Sequence, residues 1–191
     1  LSSLPADNRV MFEKPRKVNS HIINREMGVR ILAWGLFFFV FLVGLWQLMW
    51  HMPIDSVSQF CSVDTLKVYF GSFFDSAKSK SHLSAYELTV FFTTFVVLQF
   101  WNLFNARYYH TGRSLLRDIM DSLAGRRSLS QSFSAGFVGI AGVILLGQVL
   151  IVSFGGEMFD VCPLTVSDWG YLLLLTSPVL VVPDIVRSIR C

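Results

Sequence analysis

Four long runs of apolar residues, separated by more polar connections, set the pattern of this chain. The runs are residues 31–50, 84–106, 134–154 and 169–191, the last of which ends in a polar tail. A hydrocarbon core of about 30 Å needs about 20 apolar residues in helical conformation. The pattern therefore predicts an all-α integral membrane protein with four transmembrane helices in a bundle.

The connections between these runs differ sharply in their content of Lys and Arg. Residues 1–30, residues 107–133 and the tail after Asp184 hold 13 of these residues, whereas loops 51–83 and 155–168 hold three. Positively charged loops stay on the cytoplasmic side of a membrane. We therefore expect both termini and the 107–133 loop to be cytoplasmic, and loops 51–83 and 155–168 to be extracytoplasmic.

The composition agrees with a membrane protein and argues against other classes. Apolar residues make up 53% of the chain and charged residues 15%, whereas soluble domains carry about 25% charged residues. The net charge of +3 is too small and too scattered to indicate nucleic-acid binding. The chain begins without Met or a signal segment, so we expect a piece of a longer polypeptide or a processed one.

Three amides interrupt the second apolar run, at Gln99, Asn102 and Asn105. At about 100° per residue they form a slowly drifting stripe on one side of a helix. Unpaired amides are costly against lipid, so the stripe must face protein or water. For Asn102 and Asn105 the pattern favours interhelical hydrogen bonds, as it does for Gln148 in the third run. Gln99 lies deeper and is also a candidate cation-site residue, although a neutral amide needs carboxylate partners to bind Ca²⁺.

Motifs, cysteines and prolines give further information about the possible functions of the chain. The chain has no DKTG phosphorylation motif, no P-loop and no His/Cys cluster at metal-ligand spacing, so we predict no catalytic residue in it. Cys61, Cys162 and Cys191 show no CxxC spacing and read either as isolated thiols or as a Cys61–Cys162 disulfide. Two prolines, Pro178 and Pro183, interrupt backbone hydrogen bonds in the last helix, so we expect a kink there.

Three stretches resemble the C-terminal membrane region of P-type cation-transporting ATPases of the calcium-pump branch. FFTTFVVLQFWNLFNAR resembles the eighth helix of plasma-membrane-type pumps, with matches at Thr94, Phe95, Val96, Gln99, Asn102, Asn105, Ala106 and Arg107. The fourth run is similar to the tenth helix, with matches at Trp169, Pro178, Val179, Asp184, Ile185 and Arg187. Residues 13–27 are similar to the basic loop before the seventh helix, except that His21 replaces a proline. The resemblance covers essentially the whole chain, as helices seven to ten of ten.

The resemblance implies an ATP-driven Ca²⁺ export pump of the plasma membrane, in which Mg²⁺ and ATP bind to parts outside this chain. It places Gln99 where two-site sarcoplasmic-type pumps have a carboxylate ligand, so Gln99 is expected to line an altered cation region. The implied partners are the remaining helices and cytoplasmic domains of the parent pump and membrane lipid. The alternatives are a free-standing four-span scaffold or accessory subunit, and a P-type pump for Na⁺, K⁺ or Mn²⁺.

Overall fold

The computed structural model describes residues 25–51, 54–61, 67, 82–107, 120, 124–125, 135–181 and 183, and these ranges contain helices and no strands. The described α-helices, in chain order, are α1 (Arg25–His51), α2 (Ala85–Arg107), α3 (Ala135–Phe154), α4 (Gly156–Phe159) and α5 (Val166–Thr176). A 3-10 helix, Val57–Cys61, lies between α1 and α2. The prediction of an all-α protein is confirmed for the described residues.

Three of these helices are long and apolar enough to cross a membrane, namely α1, α2 and α3. The fourth predicted span, 169–191, is described as far as residue 181 and at residue 183. In that part an apolar helix covers residues 166–181, and its regular portion ends at Thr176, just before Pro178. The regular helix is therefore interrupted at Ser177, next to the first proline, whereas the kink, the fourth span and the orientation remain predictions.

The helix ends differ in places from the predicted membrane boundaries. Helix α1 begins at Arg25 rather than at residue 31, so the predicted loop 1–30 ends in helical conformation. The predicted loop 155–168 contains α4 and the first turn of α5. At α1 and α5, backbone hydrogen bonds continue the helix beyond its apolar stretch, whereas hydropathy marks only the apolar part.

Helix α2 occupies the centre of the bundle and contacts α1, α3 and α5. In the most apolar stretch of α2, 44% of residues are buried, compared with 17% in α1 and 22% in α3. Two apolar clusters pack around it. The cluster near His51 contains Leu45, Leu48, Met49, Ile54, Val57, Phe60, Val90 and Leu172. The cluster nearer Arg107 contains Phe38, Leu98 and Val179.

Candidate functional site

A cavity of about 390 Å³ lies between the first half of α1 and the last two turns of α2. All three predicted amides, Gln99, Asn102 and Asn105, line it. The wall formed by α1 carries one cation, Arg30, and the indole of Trp34. The predicted amide stripe therefore borders a single space, which is mixed in character rather than purely apolar.

The three amides differ in their surroundings. Gln99 is exposed, Asn102 is half-buried and Asn105 is buried. Gln99 lies on the least covered face of α2, which we call the open face and which consists of the exposed Phe92, Phe95, Gln99 and Ala106 and the half-buried Asn102. These positions follow the three- and four-residue spacing of one helix side. Among the described residues, neither Gln99 nor Asn102 has a hydrogen-bond partner.

On its covered sides, α2 forms a specific polar bond with each of two neighbouring helices and with the chain beyond α5. Thr93 Oγ1 accepts a hydrogen bond from Gln148 Nε2 of α3 at 3.2 Å. Trp101 Nε1 donates to Thr176 Oγ1 of α5 at 2.9 Å. Asn105 Nδ2 donates to the carbonyl oxygen of Val179 at 2.7 Å. The predicted interhelical bonds of Gln148 and Asn105 are therefore confirmed, whereas Asn102 forms none with described residues.

At the end of α2, a buried cation joins α2 to α3. The guanidinium carbon of Arg107 lies 4.6 Å from the centroid of the Phe137 ring, and Arg107 is only 7% exposed. The Phe137 ring packs edge-on against Phe104 at 5.3 Å. A cation at a helix C-terminus interacts favourably with the helix dipole, and a desolvated cation–π contact adds about 2 kcal/mol. Arg107 therefore fixes the start of α3 against α2.

The cavity lining does not form a cation-binding site by itself. Amide oxygens are acceptable ligands for hard cations, but they are neutral and do not offset a divalent charge by themselves. Among the described lining residues none is a carboxylate, and the described part of the chain contains no cluster of three or more His, Cys, Asp or Glu. A cation near Gln99 would need negatively charged ligands from outside the described residues.

Two buried carboxylates, Glu87 and Asp168, lie at the opposite end of the bundle, where they close two capping boxes. Ser84 Oγ accepts from the backbone N–H of Glu87, and Glu87 Oε2 accepts from the N–H of Ser84. Thr165 and Asp168 form the same reciprocal pair at the start of α5. We did not identify these boxes from the sequence, although Ser-x-x-Glu and Thr-x-x-Asp before apolar runs are their signature.

The same two carboxylates also hold the segment that follows α1. Glu87 Oε1 accepts a hydrogen bond from the backbone N–H of Ile54 at 3.0 Å. The backbone N–H of Val57 lies 3.3 Å from Asp168 Oδ1 and 3.1 Å from the hydroxyl of Tyr86. We call residues 54–57 the clamped segment. Its attachment to both α2 and α5 fixes the spacing of these helices at this end.

Hydrogen bonding controls the ionisation of Asp168, which precedes the predicted fourth span. Burial alone would raise the pKa of this carboxyl group. The hydrogen bonds that it accepts from Thr165, Tyr86 and the Val57 backbone outweigh burial and lower its pKa below the usual value. The carboxylate is therefore ionised at neutral pH.

Cys162 lies beside these groups and carries a free thiol, which does not support the alternative of a Cys61–Cys162 disulfide. Its backbone N–H donates to Thr89 Oγ1 at 2.9 Å. This bond attaches the connection between α4 and α5 to the first turns of α2.

Comparisons with known proteins agree with the membrane architecture. The chain is 30% identical over 193 residues to plasma membrane calcium-transporting ATPase 3 of Rattus norvegicus, covering 99% of this chain and 13% of that protein. It is 25% identical over 193 residues to plasma membrane calcium-transporting ATPase 3 of Homo sapiens, with the same coverage. It is also 31% identical over 101 residues to plasma membrane calcium-transporting ATPase mca-1 of Caenorhabditis elegans, covering 53% of this chain and 7% of that protein.

The chain thus spans about one eighth of the length of the full-coverage relatives. No solved structure matches it. A family model described as "Cation transporting ATPase, C-terminus" matches residues 1–189, almost the entire chain. The chain belongs to this family of cation-transporting ATPase C-terminal regions.

Proposed function

We propose that this chain is the C-terminal membrane portion of an ATP-driven Ca²⁺ export pump of the plasma membrane. In this proposal it supports the transport helices of the parent pump and contributes Gln99 to the cation region. ATP and Mg²⁺ bind to the remaining parts of the parent, and Ca²⁺ is the transported ion. The three relatives described above, all plasma membrane calcium-transporting ATPases, support the choice of ion and membrane.

The observation that carries the proposal is the exposed amide of Gln99 on the most buried helix of the bundle. Against hydrocarbon, an unpaired amide costs several kcal/mol, on the order of 4–8 kcal/mol on the cyclohexane scale. The open face of α2 is therefore expected to contact other helices or water rather than lipid. In a parent pump, the transport helices fill that position and bring the carboxylates that the cavity lacks.

The proposed supporting role follows from the polar bonds of α2. Its side chains bond to α3, to α5 and to the chain after α5, as well as to the clamped segment. A helix held on several sides is poorly suited to large movements relative to its neighbours. We therefore assign α2 the role of a fixed wall against which transport helices move.

The proposal is tested by measuring transport by the full-length parent in sealed vesicles, with Ca²⁺, Mn²⁺, Na⁺ and K⁺ compared side by side. We expect ATP-dependent uptake of Ca²⁺. If Ca²⁺ uptake equals background while another cation is transported, the calcium assignment is wrong. If no cation is transported, the scaffold alternative replaces the pump.

The role of Gln99 is tested separately through the apparent Ca²⁺ affinity of phosphorylation. We expect Gln99→Ala to weaken this affinity by less than about tenfold, since one neutral polar contact contributes about 1 kcal/mol. Gln148→Leu is the matched control, because this amide is buried between α3 and α2 and lies away from the cavity. An unchanged affinity in Gln99→Ala would restrict Gln99 to packing.

A further inference from the structure

The carbonyl group of Val179 has lost its normal helical partner. In an α-helix each carbonyl oxygen accepts from the N–H four residues later, so the donor for Val179 would be residue 183. Residue 183 is a proline and has no N–H to donate. Val179 is 3% exposed, so water does not readily replace the missing donor. An unsatisfied buried carbonyl is costly, and a substitute donor is required.

The first proline of the same helix also leaves a carbonyl without its helical donor, but there a neighbouring residue supplies the hydrogen bond. Pro178 deprives the carbonyl of Leu174 of its donor in the same way. Here the repair is local: Ser177 Oγ donates to the Leu174 oxygen at 2.7 Å, and the Ser177 N–H lies 3.2 Å from it. The residue before Pro183 is Val182, which has a backbone N–H but lacks the hydroxyl that makes the short bond at Ser177.

Asn105 supplies the donor that Pro183 lacks. Its Nδ2 atom lies 2.7 Å from the Val179 oxygen, and its side chain is 7% exposed. We infer that Asn105 is a positioning residue: its amide replaces the missing backbone donor and ties the end of the last helix to α2. Because Asn105 and Pro183 both line the cavity, this bond also fixes the wall of the cavity opposite α1.

This inference separates the roles of the three amides. The amide nitrogen of Asn105 is committed to a backbone carbonyl, whereas Gln99 and Asn102 make no hydrogen bond with the described residues. The nitrogen of Asn105 is therefore not available as a donor to another helix, whereas the amide nitrogens of Gln99 and Asn102 are not committed within the described residues.

The test is a double-mutant cycle on the full-length protein, with the rate of thermal unfolding in detergent as the readout. Asn105→Leu keeps the approximate size of the side chain but removes the donor. We expect it to unfold about fivefold faster, the change expected from about 1 kcal/mol. Pro183→Ala restores the backbone N–H, so adding Asn105→Leu to this variant is expected to change the rate by less than about twofold.

Pro178→Ala is the matched control for this rescue. It restores a backbone donor to the carbonyl of Leu174, which Ser177 already satisfies. It does not restore the backbone donor that the carbonyl of Val179 lacks at residue 183. In the Pro178→Ala background, Asn105→Leu is therefore still expected to increase the rate about fivefold. If Asn105→Leu alone fails to accumulate in membranes, accumulation becomes the readout, with rescue expected from Pro183→Ala and none from Pro178→Ala.

Two results would overturn the inference. One is an unchanged rate in Asn105→Leu, and the other is an effect of Asn105→Leu on the rate that is equal in the Pro183→Ala and Pro178→Ala backgrounds. The readout does not depend on which ion the parent transports. A failure of the calcium assignment and a failure of this inference are therefore distinguishable.

Discussion

A carboxylate in a protein interior requires hydrogen-bond donors around it, and Glu87 shows how the chain supplies them. The side chain is 1% exposed, and its two oxygens accept from the backbone N–H groups of Ile54 and Ser84. Glu87 therefore caps α2 and holds the clamped segment at the same time. Its negative charge also lies at the helix N-terminus, where the helix dipole favours it.

The first residue-scale prediction concerns this double role. Glu87→Gln keeps the shape but replaces one acceptor oxygen by an NH₂ group, which turns a donor towards a buried N–H. We expect the full-length protein to lose about 1–3 kcal/mol of stability, measured by thermal unfolding. Asp55→Asn in the clamped segment is the control, because Asp55 is exposed. Equal effects of the two substitutions would show that Glu87 has no special role.

The second residue-scale prediction concerns pH. The folded protein lowers the pKa of Asp168, so the carboxylate stabilises the fold above the unfolded pKa of about 3.9. This contribution is lost as the pH falls through the lower, folded pKa. We expect Asp168→Asn to unfold at a lower temperature than the wild type at pH 7, with the difference shrinking towards pH 3. A difference that is independent of pH would contradict the assignment.

At the scale of the helices, spacing explains why the amide stripe divides into different environments. Residues three apart on an α-helix differ by about 300°, so each step of the stripe drifts by about 60°. Gln99 and Asn105 therefore point about 120° apart, which places Gln99 on the open face while Asn105 reaches the chain after α5. The sequence predicts that the amides avoid lipid, but the assignment of each amide depends on which neighbour covers which side of α2.

The sequence likewise predicts which segments are helices, but not which residues join them. Runs of apolar residues identify α1, α2 and α3, because a helix that crosses the hydrocarbon core needs a long stretch of apolar side chains, and the sequence shows such stretches directly. The clamped segment was not predicted, because its bonds join backbone N–H groups to residues 33 and 111 positions away. Hydropathy contains no information about such pairings.

A prediction at this scale concerns the bond between α2 and α3. Gln148 is 3% exposed and its amide donates to Thr93, which is fully buried. We expect a double-mutant cycle of Gln148→Leu and Thr93→Val to give a coupling energy of about 0.6–2 kcal/mol in the full-length protein. Thr94→Val is the control partner, because Thr94 donates to the Val90 carbonyl within its own helix. Equal coupling of Gln148 to Thr93 and Thr94 would contradict the bond.

At the scale of the whole molecule, the orientation of α2 decides which side of the membrane the cavity faces. The helix contains 23 residues and is about 35 Å long, enough to cross a hydrocarbon core of about 30 Å. The Lys and Arg distribution predicts that its Arg107 end is cytoplasmic. The amide-lined cavity would then open towards the cytoplasmic half of the bilayer, and the clamped segment would lie on the outer side.

This orientation is tested with two exposed positions on either side of α2, His82 and Met120. In the full-length protein in intact cells, we expect His82→Cys to react with a membrane-impermeant maleimide. Met120→Cys is expected to react only after the cells are permeabilised, because it lies in the predicted cytoplasmic loop. The unsubstituted protein measures the background from native cysteines. Labelling of both positions from the same side would mean that α2 does not cross the bilayer, and the cavity could not then belong to a transport pathway.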